Sequence, residues 1–194
     1  MKRIIGLTGG IATGKTTVAN YLASAYNLPI LDADIYAREA VAVNSPLLGQ
    51  IVKRYGENIL LTDGSLNRQK LGEIIFNEQE ERLWVENLIH PYVSDRLDRG
   101  IKETSVETLV LVVPLLFEAG MTDLVTEIWV VSCSQKQQLE RLMNRNQLTL
   151  EQAQARISSQ MPLSKKIQKA DIVLDNSFNV EELLQKVDVA IFQK

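Results

Sequence analysis

The sequence predicts an α/β fold in which helices cover both faces of a parallel five-stranded sheet. Short apolar segments alternate with helical segments along the chain, which is typical of β-α units. The first apolar segment also leads directly into a complete G-x-x-x-x-G-K-S/T sequence, the pattern of a phosphate-binding loop between a strand and a helix. The predicted strands occupy residues 4–7, 29–31, 109–113, 128–131 and 172–174.

The loop that follows the first strand is predicted to bind a nucleoside triphosphate. It consists of Gly9, Gly10, Ile11, Ala12, Thr13, Gly14, Lys15 and Thr16, and Thr17 follows. Its glycines let successive amides face one centre, and the helix predicted over residues 16–25 adds the positive end of its dipole. Lys15 is placed to reach the β- and γ-phosphates, and the Thr16 hydroxyl to bind Mg²⁺. A chance glycine-rich turn is the alternative, but the flanking strand and helix argue against it.

Length and composition indicate one cytoplasmic, globular unit of 194 residues, of which 45% are hydrophobic. The net charge of −3 gives no basic face for nucleic acid. The longest apolar stretch, residues 109–117, is too short to span a membrane. The single Cys133 lies in an apolar segment, so we expect a buried thiol without chemistry.

Between the second and third strands lie about 75 residues, more than one crossover helix needs. Helices are predicted over Pro46–Tyr55 and residues 68–76 and 78–99, with a turn at Asp63 and Gly64. In open parallel sheets the ligand lies beyond the carboxyl ends of the strands. We therefore expect this insertion to form the substrate-binding wall of the site. Capping spacings at Thr149 and Asn179 predict further helix starts near residues 150 and 180.

Two acidic residues, Asp32 and Asp34, follow the second strand. If that strand neighbours the first, both carboxylates reach the edge that carries the phosphate loop. Asp32 is then the candidate to orient Mg²⁺ through water, and Asp34 to accept the proton of an attacking hydroxyl. The alternative for Asp34 is that it only caps a helix over residues 35–43.

Arginines four residues apart, Arg141 and Arg145, follow the fourth strand and share a helix face. Such donors stabilise the charge that develops during phosphoryl transfer. A solvated helix face with salt bridges to Glu140 or Glu151 would give the same pattern, so both interpretations stand. Further basic residues lie downstream at Arg156, Lys165, Lys166 and Lys169.

The chain resembles the dephospho-coenzyme A kinase family over residues 3 to about 176. The matching segments are Gly6-Leu7-Thr8-Gly9-Gly10-Ile11, Asp32-Ala33-Asp34 with Ala37-Arg38, Leu88-Ile89-His90-Pro91, Val113-Pro114-Leu115-Leu116-Phe117-Glu118, Arg141 with Arg145, Ala155-Arg156-Ile157 with Gln160, and Ala170-Asp171. The resemblance implies a three-layer P-loop kinase fold that transfers the ATP γ-phosphoryl group to the ribose 3′-hydroxyl of dephospho-coenzyme A, with Mg²⁺.

The resemblance also implies a division of one kinase unit, residues 1–194. Residues 1–34 and 109–194 would form the nucleotide-binding core, residues 35–108 the helical substrate-binding region, and residues 138–165 a lid. Arg38 and His90 would contact the acceptor, and Arg141 and Arg145 would reach ATP phosphates. His90 alone equally suits a helix end or a core. Glu118, after the third strand, is expected to have a polar role in binding the acceptor, and Asn176 is expected to bind ATP near the adenine.

The chain departs from the family at a few positions. Ala12 and Thr13 stand where glycine and serine are common, Asn146 where aspartate is common, and Asn176-Ser177-Phe178 where Asn-x-Gly is frequent. The alternatives are another small kinase, acting on shikimate or a nucleoside monophosphate, and a GTPase-type switch. The chain has no Asn-Lys-x-Asp guanine-reading motif. A monomer or a weak homo-oligomer fits a chain of this length.

Overall fold

The computed structural model describes residues 2–193 and contains five strands and nine α-helices over that range. The strands are β1 (Arg3–Gly9), β2 (Ile30–Asp32), β3 (Thr108–Val112), β4 (Glu127–Ser132) and β5 (Ile172–Asp175). The helices are α1 (Lys15–Tyr26), α2 (Ala33–Ala40), α3 (Pro46–Tyr55), α4 (Arg68–Asn77), α5 (Gln79–Glu103), α6 (Gln135–Asn146), α7 (Leu150–Ser158), α8 (Leu163–Ile167) and α9 (Val180–Phe192). Every predicted strand is present, and each boundary differs by at most two residues.

The strands form one sheet in the order β2-β3-β1-β4-β5, and every pair is parallel. The predicted fold class is therefore confirmed. One detail is corrected: β2 is not a neighbour of β1, because β3 lies between them. Val112 of β3 is in register with both Leu7 and Asp32, so β2 and β3 end at the same level of the sheet, whereas β1 continues to Gly9.

Chain contacts divide the protein into two compact units. The first contains residues up to Asp32 and from Gly100 onward, and the second is Ala33–Arg99. The core of the first unit lies between the sheet and helices α1 and α9, where alternate strand residues are fully buried. Trp129 of β4 is the largest of these side chains. Cys133 is also buried, and burial raises the pKa of its thiol, as expected for a residue without chemistry.

The second unit has a separate apolar core formed by α2, α3, α4 and the first half of α5. The Ser45 side chain accepts from the Leu48 amide and caps α3, and the Asn67 side chain caps α4 in the same way. The predicted turn lies between Leu60 and Leu66, where the Asp63 carboxylate accepts from the amide and hydroxyl of Ser65. Helix α5 continues past the predicted end at residue 99, to Glu103.

A charged cluster joins α3 to α5 within this unit. Arg54 donates two hydrogen bonds of 2.7 Å to the Glu81 carboxylate, and the Tyr55 hydroxyl donates a third, of 2.5 Å. The Arg54 guanidinium also lies 4.5 Å from the centre of the Trp84 ring. The donors lower the pKa of Glu81 to about 2, with Arg54 the larger cause.

We expect this cluster to make stability depend on acidity. Because the folded-state pKa of Glu81 lies below its ordinary value of 4.5, its contribution is complete above that value and is lost as the pH falls towards 2. Urea unfolding of the wild type and of Glu81→Gln at pH 7, 4 and 2.5 measures the contribution of Glu81 to the free energy of unfolding. The difference in unfolding free energy between the two proteins should shrink with falling pH. A constant difference would contradict the expectation.

No helix within residues 2–193 is long and apolar enough to cross a membrane.

Candidate active site

The phosphate loop connects the carboxyl end of β1 to the first turn of α1. Its backbone needs glycine at two positions: Gly9 has φ of 148° and Gly14 has φ of 109°. A side chain at Gly9 would meet the Val131 carbonyl oxygen at 2.3 Å, and one at Gly14 would meet the Asn176 amide nitrogen at the same distance. Gly14 is the N-cap of α1 and has no side chain that could accept from the first amides of that helix. The loop therefore presents a helix N-terminus suited to phosphate.

Lys15 begins α1 and turns back over the loop. Its Nζ donates to the carbonyl oxygens of Gly10, at 2.7 Å, and Gly9, at 3.2 Å. The ammonium group is therefore already held beside the loop, where the phosphates of a nucleotide would lie. Thr16, the next residue, is exposed at the start of the same helix, and Thr17 is partly exposed.

Four side chains hold the backbone of the phosphate loop by hydrogen bonds. The Thr13 hydroxyl is buried and donates to the Gly10 carbonyl at 2.9 Å, a bond that a serine hydroxyl at this position could also donate. Gln138 of α6 donates to the Ile11 carbonyl at 2.9 Å, and the Gln160 side chain accepts from the Ile11 amide at 3.0 Å. Asn176 donates to the Thr13 carbonyl at 2.8 Å. Together they fix the path of the loop backbone.

Asn176, the ATP-binding residue expected near the adenine, contacts the phosphate loop in the structure. Its side chain is buried, and its amide is engaged by the loop through Thr13. The Asn176 carbonyl oxygen accepts from Arg141 at 3.0 Å. Asn176 thus links the backbone of the phosphate loop to the Arg141 side chain.

The two α6 arginines lie in different surroundings. Arg141 reaches the end of β5 through its bond to Asn176. Arg145 is exposed and donates to the neighbouring Asn146 side chain at 2.9 Å. Glu140, one of the proposed salt-bridge partners, lies 4.0 Å from Lys136 instead. Among residues 2–193, Arg141 and Arg145 form no ion pair with Glu140 or Glu151, so for these two arginines the expected salt bridges are absent, whereas the exposed Arg145 still fits a solvated face.

Asp32 ends β2 at the carboxyl edge of the sheet. Because β3 intervenes, the backbones of β1 and β2 are about 10 Å apart, two strand spacings. That separation suits a water-linked contact with a cation at the loop better than a direct one. Asp32 and Thr16 offer hard oxygen donors, which Mg²⁺ combines with water and phosphate oxygens. No group of three His, Cys, Asp or Glu side chains within residues 2–193 could hold a metal ion.

The predicted acceptor residues of the second unit lie on two helices. Asp34 and Arg38 are exposed on α2, in its first and last turns. The helix starts at Ala33 and ends at Ala40, not at residues 35 and 43, so Asp34 lies inside the first turn and is not the N-cap. His90 lies within α5, before Pro91, and burial lowers its pKa. It is therefore not a helix-end histidine.

Glu118, the polar residue expected after the third strand, is engaged inside the first unit. Its carboxylate lies 2.9 Å from Lys166 Nζ of α8 and accepts from the Met161 amide at 2.8 Å. Lys166 is fully buried and also donates to the Pro114 carbonyl at 2.8 Å. This pair ties the segment after β3 to the start of α8. In the structure, Glu118 therefore anchors the segment that is predicted to be a lid. A substrate that contacts Glu118 would have to share its carboxylate with Lys166 and the Met161 amide.

Breaking this pair is expected to destabilise the protein. Lys166→Met removes the donor to the Glu118 carboxylate and the Pro114 carbonyl and should lower the free energy of unfolding by about 2 kcal/mol, the scale of a hydrogen bond to a charged group, because the Glu118 side chain that remains is 20% exposed. Urea unfolding measures it. The matched control is Lys136→Met, because the exposed Lys136 lies 4.0 Å from Glu140 and its loss should cost under ~0.5 kcal/mol. Equal losses in both variants would contradict the anchor role.

Gln138, Lys166 and the supporting role of Asn176 were not predicted. The only sequence signal for Gln138 is its spacing of four residues from Leu142, which places a glutamine on the buried face of α6. Lys166 carries no such signal, because its carboxylate partner is 48 residues away, at Glu118.

Comparison with protein families gives one family for nearly the whole chain. The dephospho-CoA kinase family model matches residues 3–182. Dephospho-CoA kinase of Nostoc sp. is 67% identical over 190 residues, which cover 98% of this chain and 97% of that protein. Dephospho-CoA kinase of Synechocystis sp. is 55% identical over 183 residues, covering 94% and 91%.

Solved structures agree in fold. The TT1252 protein of Thermus thermophilus has a TM-score of 0.79 at 30% identity, covering 100% of this chain and 99% of that one. Dephospho-CoA kinase from Campylobacter jejuni has a TM-score of 0.70 at 29% identity, covering 98% and 96%. A shikimate kinase from Aquifex aeolicus, with a TM-score of 0.56 at 17% identity over 97% of this chain and 95% of that one, shares the fold alone.

Proposed function

The chain belongs to the dephospho-CoA kinase family, and from that premise we propose how its residues carry out the reaction. As a kinase of this family it transfers a phosphoryl group from ATP to dephospho-CoA. The acceptor atom is the ribose 3′-hydroxyl, and the products are ADP and coenzyme A. The reaction takes place in the cytoplasm, with small molecules as its only substrates and the protein as a monomer or a weak homo-oligomer.

ATP binds with its phosphates on the loop of residues 9–17. The loop amides and Lys15 hold the β- and γ-phosphates, and Arg141 and Arg145 neutralise charge on the transferred group. Thr16 directly, and Asp32 through water, would hold Mg²⁺, which when bound offsets phosphate charge. Residues 138–165 act as a lid that excludes water when ATP is bound.

The acceptor binds to the helical region of residues 35–108, with contacts from Arg38 and His90. Glu118 contributes to its binding only through the segment that it anchors with Lys166. Asp34 accepts a hydrogen bond from the 3′-hydroxyl and directs its oxygen at the γ-phosphorus. It takes the proton as the new P–O bond forms and the bond from the γ-phosphorus to the β–γ bridging oxygen breaks, which releases ADP. The observation that carries this proposal is the family match over residues 3–182, because it covers both compact units.

An ADP-release assay with ATP and Mg²⁺ tests the proposal. It compares dephospho-CoA with shikimate, nucleosides and nucleoside monophosphates, and NMR of the product locates the new phosphate. We expect rapid ADP release only when dephospho-CoA is the acceptor, and a product that carries the new phosphate at the 3′ position. ATP binding without turnover on dephospho-CoA, or turnover on shikimate instead, would overturn it.

A further inference from the structure

The second unit contains six arginines, and two of them differ from the rest in their partners. Four lie within 4.0 Å of a carboxylate: Arg54 of Glu81, Arg82 of Glu86, Arg96 of Glu39 and Arg99 of Asp95. Within residues 2–193, neither Arg38 nor Arg68 forms an ion pair with an acidic side chain. Four of the six arginines of this unit are therefore paired with a carboxylate, and the charges of the other two have no counter-ion within the unit.

These two arginines are neighbours in space although they lie 30 residues apart in the chain. The Arg68 guanidinium donates to the Arg38 carbonyl oxygen at 3.3 Å. Arg38 is in the last turn of α2, and Arg68 is the first residue of α4, directly after its cap at Asn67. Burial and then the charge of Arg38 lower the pKa of Arg68. The charge of Arg38 therefore acts on Arg68, and an anion bound to both side chains would relieve this repulsion.

Both side chains remain exposed, so an anion from solution has access to them. A guanidinium binds phosphate oxygens with two parallel N–H bonds, and two guanidiniums on separate helices suit two linked phosphates. Dephospho-CoA carries a diphosphate between its adenosine and pantetheine parts. The phosphates of ATP have their own loop at residues 9–17, in the other unit.

We propose that Arg38 and Arg68 form a diphosphate subsite for the acceptor. The proposal rests on the proposed function, and it adds Arg68 as a residue that binds the acceptor by its charge. It also gives Arg38 a defined ligand group. The subsite distinguishes dephospho-CoA from acceptors that offer an adenosine without its diphosphate.

Isothermal titration with Arg68→Gln tests the subsite, using the full chain and dephospho-CoA without ATP. We expect the Kd for dephospho-CoA to rise about tenfold or more, the scale of a charge-assisted hydrogen bond. The Kd for ATP and the Ki of adenosine against dephospho-CoA should stay within twofold, and Arg68→Lys should recover part of the loss. The matched control is Arg82→Gln, which removes an arginine of the same unit that has its own partner, Glu86.

The outcomes separate this inference from the proposed function. Wild-type protein that does not bind or phosphorylate dephospho-CoA overturns the proposed function. Wild-type activity with an unchanged Kd in Arg68→Gln overturns the subsite alone. If the Ki of adenosine rises in parallel, the substitution has changed the site in general. If the Kd for ATP rises, the arginines bind the ATP phosphates. Either result contradicts the acceptor subsite. Thermal melts of each variant confirm that it is folded.

Discussion

Replacing Lys15 by alanine is expected to lower kcat/KM for ATP by about 10²–10³, the scale for losing one fixed donor to a transferring group. The Lys15 ammonium already lies beside the loop, bound to the carbonyls of Gly9 and Gly10. Little reorganisation is therefore needed for it to bridge the β- and γ-phosphates when ATP binds. Its removal leaves the phosphate charge to the backbone amides and the α6 arginines.

Steady-state kinetics with ATP varied at saturating dephospho-CoA measures this effect. The matched control is Lys136→Ala, because Lys136 is an exposed lysine of α6. The control should retain kcat/KM within twofold, and both variants should unfold at the urea concentration of the wild type. A Lys15→Ala protein that uses ATP normally would remove the loop from the mechanism.

The loop could be predicted because its determinants are adjacent in the chain. Gly9, Gly14 and Lys15 each perform a role that local backbone geometry dictates, and the strand and helix around them show their own patterns. The same holds for the capped starts of α7 and α9, where Thr149 and Asn179 accept from amides three residues on. Local rules therefore account for the fold class and most helix and strand boundaries.

The supporting contacts of the site depend on residues that are distant in the chain. Asn176 reaches Thr13 across 163 residues, and Gln138 reaches Ile11 across 127. Only the strand order, with β5 beside β4 and β4 beside β1, brings such pairs together. The sequence pattern also does not determine the position of β2 in the sheet, because alternating strands and helices are compatible with several strand orders.

The strand order also affects how Asp32 and Asp34 are interpreted. Asp32 belongs to β2 and is separated from β1 by β3, whereas Asp34 already belongs to α2. Two carboxylates that lie two residues apart in the sequence thus belong to different kinds of element. This separation favours different roles: Asp32 is fixed at the sheet edge, and Asp34 is exposed on a helix of the second unit.

Replacing Asp34 by asparagine is expected to lower kcat by about 10² or more, the usual effect of losing a general base. Asparagine still offers an oxygen to the 3′-hydroxyl but takes no proton, so the acceptor is oriented without being activated. The KM for ATP should stay within twofold, because the phosphate loop is unchanged. Since Asp34 lies in the first turn of α2, the loss of its charge costs the helix only about 0.5 kcal/mol.

Kinetics and urea unfolding of the same Asp34→Asn preparation separate catalysis from folding. Asp95→Asn is the matched control, because it removes an exposed carboxylate of the same unit that pairs with Arg99. We expect the control to lose a comparable amount of stability and to keep its kcat within twofold. A near-normal kcat in Asp34→Asn would exclude Asp34 as the base, and a rise in KM for dephospho-CoA with unchanged kcat would limit its role to binding. A large loss of kcat at nearly unchanged stability is the result that assigns the proton to Asp34.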